Sequence, residues 1–411
     1  MSLLLLQLVV ILVVARACGL LLKYLGQPAV IGEMAAGLVL GPIVFGALAP
    51  EVHASLFAKG SLAGLSSLSM LGLVLFMFIV GAELRAPEGV RAQVKAAGYV
   101  GVLGVVLPMA AGLAIAPFLH PLAPAGVGFW PFALFMAAAM SITAFPVMAR
   151  ILKDRGMTQT RLGRLSLGSA AIADVFAWIM LAVVVALTGG GSGSFVRTLV
   201  GMVVLAAVVF GALRPLYAWL LRTYAPGGEP SQMLLAAMLV GALGCAALTE
   251  WLGLHAVFGA FLFGACLPRD DRLLRCLVER LEYVAIVLLM PIFFALAGLS
   301  TTPDAFVGAG IGALLLVLAA AVFGKVLGGA IGARLAGYGW RDSFATGALM
   351  NARGLMELIV MKVGLDAGLI GPSLFTMLLV MALVTTLMTS PLLTLFAGRS
   401  PNLVDPASSR A

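Results

Sequence analysis

The chain has 411 residues, of which 62% are hydrophobic and 10% charged, and its formal net charge is +8. Soluble domains contain about 25% charged residues, so this chain has too few to cover a surface that faces water. The composition therefore predicts a polytopic membrane protein embedded in the lipid bilayer. The positive charge gathers in alternate loops, and it is not evidence for a nucleic-acid partner.

Thirteen stretches are apolar enough to cross a membrane, which takes about 20 residues in a helix. They lie at about 3–23, 28–47, 61–83, 96–119, 130–150, 163–188, 196–221, 231–249, 252–268, 281–300, 305–334, 342–363 and 370–396. The sequence therefore predicts an all-α fold with about 13 transmembrane helices.

Lysine and arginine residues concentrate in every second loop between these stretches. The loop between the fifth and sixth stretches holds Arg150, Lys153, Arg155, Arg161 and Arg164, whereas the opposite loops hold little beyond Lys59 and Arg197. Since positively charged loops stay in the cytoplasm, we expect the N-terminus outside, the C-terminus inside, and a location in the cell (inner or plasma) membrane.

Thirteen spans divide into six, one linker and six, so that the two groups start on opposite sides of the membrane. We expect one transmembrane domain over residues 1–397, with a first repeat at about 1–190 and a linker helix at about 196–221. A second, inverted repeat would follow at about 231–397, and 398–411 would form a short cytoplasmic tail. Inverted repeats are common in secondary transporters.

Two spans at matching places in the two groups contain helix-interrupting residues. Residues 141–146 of the fifth span read SITAFP, and residues 351–354 of the twelfth read NARG. Proline and glycine interrupt a helix and free backbone carbonyls and amides. This matched pair predicts two crossing broken helices with a binding site between them; the alternative is a pair of kinks without a ligand.

Asp174 lies near the middle of the sixth apolar stretch. An acid at that depth costs about 2.5–3.5 kcal/mol on insertion scales, and such residues usually mark an ion or proton pathway. Because a dry environment disfavours the ionised carboxylate, Asp174 could hold either a proton or a small cation. The alternative is a structural acid paired with a buried base.

Three further residues are candidates for the same site. Thr143 and Ser141 lie in the interrupted part of the fifth span, where hydroxyls and freed carbonyls would suit an alkali cation. A hydroxyl bonded to its own backbone is the alternative. Lys325 lies near the centre of the eleventh span and needs a partner or water at that depth, so it is a candidate partner of Asp174.

Four residues form a predicted supporting network. Arg353 has Glu357 one turn away, which predicts an ion pair inside the twelfth span. Asn351 lies in the same interrupted segment. Glu33 lies within the second span, where it would pack against Arg353 or a backbone amide.

Several kinds of active site are missing from the sequence. We find no phosphate loop, nucleophile elbow, zinc-ligand spacing or nucleotide fingerprint, and the four cysteines are scattered. We therefore expect neither an enzyme nor a cofactor.

Six runs of the chain resemble the monovalent cation:proton antiporter-2 family, which includes Kef-type potassium/proton antiporters, sodium/proton antiporters and plant cation/proton exchangers. The runs are PAVIGEMAAGLVLGP from 28, GLVLFMFIVGAEL from 72, SITAFPVMARIL from 141, AAIADVFAW from 170, AVFGAFLFG from 256 and MNARGLMELIV from 350.

The resemblance implies a sodium/proton antiporter-like fold, a homodimer, and a core of crossing broken helices. By position, Asp174 matches the ion-binding aspartate, Thr143 the threonine of the broken helix, and Lys325 the lysine beside the site. It implies monovalent cations, protons and the lipid bilayer as the partners of the chain.

The chain departs from the family pattern just before Asp174. Electrogenic members carry two adjacent acids at this place, whereas here Ala173 precedes Asp174. Our hypothesis is that Asp174 pairs with Lys325 when the site is empty and that one cation displaces the lysine. A single carboxylate favours one-for-one, electroneutral exchange.

The leading interpretation is a K⁺ or Na⁺/proton antiporter that works by alternating access. A channel-like potassium efflux pathway on the same fold is one alternative, and an organic-anion symporter facing Lys325 and Arg353 is another. An inactive membrane subunit that only contacts partners is a further alternative, because the second acid is missing.

Overall fold

The computed structural model describes residues 2–83, 91–158, 160–188, 192–224, 231–252, 256–268, 278–307 and 310–397. Every regular element in these ranges is a helix, as the apolar composition predicts. The α-helices in chain order are α1 (Ser2–Tyr24), α2 (Ala29–Leu40), α3 (Phe45–Leu48), α4 (Pro50–Leu56), α5 (Ala63–Glu83), α6 (Arg91–Leu119), α7 (Phe129–Ser141), α8 (Phe145–Asp154), α9 (Arg161–Thr188), α10 (Ser192–Val208), α11 (Arg214–Tyr224), α12 (Gln232–Trp251), α13 (Ala256–Cys266), α14 (Met290–Leu299), α15 (Gly310–Leu335), α16 (Trp340–Met350), α17 (Leu355–Asp366) and α18 (Pro372–Ala397).

Nine helices within the described residues are long and apolar enough to cross a membrane, and they coincide with nine of the thirteen predicted spans. The other four predicted spans are also helical. Those at 130–150 and 342–363 are each divided into two helices, that at 252–268 contains the 11-residue α13, and that at 163–188 lies within the 28-residue α9. The predicted count of about 13 is therefore consistent with the structure.

Both predicted helix interruptions are present. α7 ends at Ser141 and α8 begins at Phe145, while α16 ends at Met350 and α17 begins at Leu355. The two interrupted segments contact each other directly, because the backbone N–H of Ala144 donates to the carbonyl of Ala352 at 3.1 Å.

Gly354 packs closely on the first interruption and on α8. A Cβ atom at this position would lie 2.7 Å from Cγ2 of Val147 and 3.7 Å from Cβ of Ala144. A larger residue would therefore require the side chain of Val147 to move.

The chain folds into two compact units, each built from separate stretches of sequence. The first unit consists of Met1–Ala17, Ala36–Arg85 and Ala182–Leu299. Its interior contains Phe78 and Phe263, whose ring centroids are 5.8 Å apart, and Tyr217, whose ring lies 4.9 Å from that of Phe263.

The second unit consists of Cys18–Ala35, Ala86–Leu181 and Ser300–Ala411. All eight predicted site residues belong to it. Both units take stretches from the first and the second predicted repeat, so the inverted repeats stay a prediction. The predicted tail at 398–411 lies outside the described residues.

Inside the second unit, α15 packs against α6 through glycines spaced four residues apart. A Cβ atom at Gly324 would lie 2.9 Å from Cα of Pro108, and one at Gly328 would lie 2.5 Å from the carbonyl oxygen of Leu103. Residues at this spacing share one face of a helix, and small residues on such a face let two backbones approach closely. This packing places Lys325, on α15, next to the backbone of α6.

We expect Gly328→Ala to lower the free energy of unfolding by about 1–3 kcal/mol, because the added methyl group overpacks against backbone atoms. Gly312→Ala is the matched control in the same helix, since no described atom lies within 4 Å of its Cβ position. It should be neutral or stabilising by up to about 1 kcal/mol, from helix propensity. Thermal unfolding of the two variants in detergent measures the difference, and equal stability would contradict the packing argument.

Candidate functional site

The structure buries every residue that the sequence singled out. Asp174 and Glu33 are each 2% exposed. The fully buried members are Ser141, Thr143, Lys325, Asn351, Arg353 and Glu357. They come from α2, α7, α9, α15, α17 and the two helix interruptions, so the second unit concentrates its buried charge around these breaks.

Lys325 is held by three oxygen atoms from two other parts of this unit. Its ammonium donates to the carbonyl of Gly104 at 2.9 Å, to the carbonyl of Ser141 at 2.5 Å and to the hydroxyl of Thr143 at 2.6 Å. An ammonium group has three N–H donors, and all three are therefore satisfied. The positively charged ammonium of Lys325 thus occupies the two oxygens that Ser141 and Thr143 contribute.

Among the described residues, Asp174 and Lys325 form no ion pair, because the three donors of the ammonium are already bonded elsewhere. Their pairing in the empty site therefore stays a hypothesis. The two charges still interact electrostatically. Oδ1 of Asp174 is buried without a hydrogen-bond partner among the described residues.

Ser141 and Thr143 contribute different atoms. The hydroxyl of Ser141 donates to the carbonyl of Ala138 at 2.7 Å, within its own helix, as the alternative reading of this residue expected. The carbonyl of Ser141 is the atom that faces Lys325, since α7 ends there and leaves it without a helical donor. The hydroxyl of Thr143 also faces the lysine.

Arg353 links the two interruptions. Its guanidinium donates to Oε1 of Glu357 at 2.6 Å, so the predicted pair is present, and both side chains are fully buried. It also donates to the carbonyls of Ala139 at 3.2 Å and Met140 at 2.9 Å. These carbonyls belong to the last turn of α7, where a positive charge interacts favourably with the helix dipole.

The sequence analysis missed two threonines of α18 that hold the second interruption. The hydroxyl of Thr386 lies 2.9 Å from the backbone nitrogen of Arg353, which donates to it, and 2.8 Å from its carbonyl oxygen. The side-chain amide of Asn351 donates to the carbonyl of Thr385 at 3.0 Å. Adjacent threonines in the middle of an apolar span were the available signal.

Several oxygen atoms of the site have unused capacity. Oδ1 of Asp174, Oδ1 of Asn351 and Oε2 of Glu357 are buried acceptors without a hydrogen-bond partner among the described residues. Buried polar atoms ordinarily have partners. Both carboxylate and amide oxygens of this kind can ligate a hard cation. The carboxylates can also accept a proton.

Four buried ionisable groups interact around Lys325. In their ionised forms Lys325 and Arg353 are positive and Asp174 and Glu357 are negative, so their charges would balance. Glu33 lies in α2 of the same unit, next to Met34, whose sulfur is 3.7 Å from the Cβ position of Gly354. A proton or a monovalent cation at Asp174 would change the charge of this group by the same amount.

Comparison with known families gives a match over almost the whole chain. The family model described as sodium/hydrogen exchanger, transmembrane, matches residues 9–395. A sodium/proton antiporter of Synechocystis, NhaS4, is 41% identical over 395 residues, which cover 95% of this chain and 96% of that protein. Cation/H⁺ antiporter 19 of Arabidopsis thaliana is 36% identical over 402 residues, and the chain spans 50% of its length.

A solved structure has the same fold. The sodium/proton antiporter MjNhaP1 from Methanocaldococcus jannaschii superposes with a TM-score of 0.60 over 95% of this chain and 96% of that one, at 16% identity. The predicted antiporter-like fold is therefore confirmed.

We expect Thr386→Val to destabilise the protein by about 1–3 kcal/mol, because it leaves the buried N–H of Arg353 without its acceptor while keeping the shape of the side chain. Thr386→Ser keeps the hydroxyl and is the matched control. Chemical or thermal unfolding in detergent distinguishes them. If valine and serine were equally stable, the hydroxyl would not be what holds the second interruption.

Proposed function

Because this chain belongs to the sodium/hydrogen exchanger family, we propose that it is a monovalent cation/proton antiporter whose two substrates compete for Asp174. The match to full-length relatives, over 95% of this chain, supports cation/proton antiport. The observation that carries the role of Asp174 is a carboxylate 2% exposed, in the middle of an apolar helix, with one oxygen unpartnered among the described residues.

A single carboxylate is sufficient for exchange. Asp174 is neutral when it holds a proton, and a cation binds it only when it is ionised, so one substrate excludes the other. A group buried in this way favours either loaded form over the empty, charged form. Alternating access of the loaded site to the two sides of the membrane would then couple the two fluxes.

Oxygen atoms near the first interruption are the proposed further ligands. Thr143 offers a hydroxyl and Ser141 a carbonyl without a helical donor, and both now contact the ammonium of Lys325. Asn351 offers an unpartnered amide oxygen from the second interruption. Hard oxygen ligands suit K⁺ and Na⁺ equally, so the proposal covers both cations.

Electroneutral, one-for-one exchange follows from the composition of the site. Ala173 is fully buried in an apolar cluster that includes Val100 and Met350, so position 173 offers no second carboxylate. Glu357 is engaged with Arg353. In this proposal Asp174 is the acid whose occupant changes, and each occupant carries one positive charge.

We also propose a cellular location, a membrane orientation and an oligomeric state for the protein. The alternation of positive loops supports a cell membrane protein with its N-terminus outside and its C-terminus in the cytoplasm. The family resemblance supports a homodimer.

We expect Asp174→Asn to reduce cation-dependent proton flux to the level of protein-free vesicles, because the amide can neither release a proton nor attract a cation. Reconstituted vesicles with Na⁺, K⁺ and Li⁺ added separately give the measurement. Asp366→Asn is the matched control, since Asp366 is 62% exposed and pairs with Lys362. It should keep normal flux. Undiminished flux in the Asp174 variant would place the exchange elsewhere.

We expect exchange to be independent of membrane potential at saturating substrate. An imposed potential of about 100 mV is worth about 2.3 kcal/mol per elementary charge, so a cycle that moved one net charge would shift its equilibrium about 50-fold. A gradient of the permeant anion thiocyanate sets the potential without adding either candidate cation. A shift of that size would rule out one-for-one exchange.

A further inference from the structure

The carbonyl of Gly104, one of the three acceptors of Lys325, has no helical donor because of a proline. α6 contains Pro108 and Pro117 in its interior. Proline has no backbone N–H, so the carbonyl four residues earlier loses its helical donor. For Pro108 that carbonyl belongs to Gly104, and the ammonium of Lys325 donates to it at 2.9 Å.

The same use of a freed carbonyl occurs at two other prolines of the chain. In both cases a side chain from a distant helix or loop donates to the carbonyl four residues before a helical proline. The two are Gln27, which donates to Leu387 at 3.3 Å before Pro391, and Arg16, which donates to Val287 at 2.9 Å before Pro291. A side-chain donor at a proline-freed carbonyl is therefore a recurrent contact in this fold.

The position of α15 brings the lysine to this carbonyl. Gly324 packs on Pro108, and Gly328 on Gly104, with Cβ positions 2.9 and 3.2 Å from the respective Cα atoms. Lys325 follows Gly324 directly, so its side chain leaves α15 at the contact with α6. Pro108 is itself buried.

The alternative partner of the ammonium is the carboxylate of Asp174. Lys325 is fully buried, and a buried ammonium needs acceptors for all of its N–H groups. With an N–H at position 108, the carbonyl of Gly104 would be shared between that N–H and the ammonium, because a carbonyl oxygen has two lone pairs. The ammonium would then be held less firmly at Gly104, and its third donor would be drawn toward the opposite charge of Asp174.

We propose that Pro108 is a positioning residue, which frees the carbonyl of Gly104 and thereby holds Lys325 away from Asp174. This inference rests on the proposed function, in which Asp174 is the site of competition between cation and proton. Held in this way, the lysine leaves the carboxylate open to the transported cation. The proline thus sets the affinity for the cation through the lysine, without touching either substrate.

The test uses two substitutions that restore the N–H at position 108. Pro108→Ala and Pro108→Val should each raise the KM for the transported cation about tenfold, which corresponds to the loss of roughly one hydrogen bond to a charged group. The value of kcat should change much less. Valine restores most of the bulk of proline, so a KM that returns to normal in Pro108→Val would assign the effect to packing and overturn the proposal.

Pro117→Ala is the matched control in the same helix. Pro117 is exposed on the surface of α6, and the carbonyl that it frees belongs to Leu113, which is also exposed. Its KM should equal that of the unmodified protein. An equal rise in KM in the Pro117 and Pro108 variants would mean that α6 as a whole, and not the Gly104 carbonyl, controls affinity.

A second readout does not require transport. Cation binding to the folded protein raises its melting temperature, and Pro108→Ala should weaken this cation-induced rise. In a Lys325→Met background there is no ammonium to misplace, so Pro108→Ala should then have no effect on it. A persisting effect would overturn the proposal. Absence of Asp174-dependent flux in the unmodified protein would instead refute the proposed function, which keeps the two failures distinct.

Discussion

The fold around the site depends on one buried ammonium group. Lys325 bonds the end of α7, the hydroxyl of Thr143 and the backbone of α6 at Gly104. A charge buried this deeply is tolerated only when its donors are satisfied, so these three elements must lie where they do. The ammonium reaches these acceptors because α15 packs closely on α6 through its glycines, and because α7 ends at Ser141. The proline in α6 leaves the carbonyl of Gly104 without a helical donor.

The second interruption is organised by a guanidinium group, which also bonds several partners. Arg353 bonds Glu357 and the last carbonyls of α7, while Thr386 holds its backbone. The arginine cannot lose its proton, whereas a lysine can. Arg353 therefore joins the two interruptions through a charge that does not titrate.

Much of this could be foreseen from local sequence. The two interruptions and the burial of Asp174 were predicted correctly, and the thirteen apolar stretches are consistent with the helices, because hydropathy and the backbone chemistry of proline and glycine act within a few residues. The pairing of Arg353 with Glu357 was foreseen for the same reason, since they are one turn apart. The missed role of Thr386 reflects a contact across 33 positions of the chain.

The sequence by itself determined that this is a helical membrane protein with broken spans and an acid, Asp174, in the middle of an apolar stretch. Which atoms hold Lys325 was decided by the tertiary structure alone. Gly104 lies 221 positions from the lysine, and its carbonyl meets the ammonium because α15 packs closely on α6. Opposite charge suggested Asp174 as the partner, but a buried ammonium bonds the oxygens that geometry presents to it.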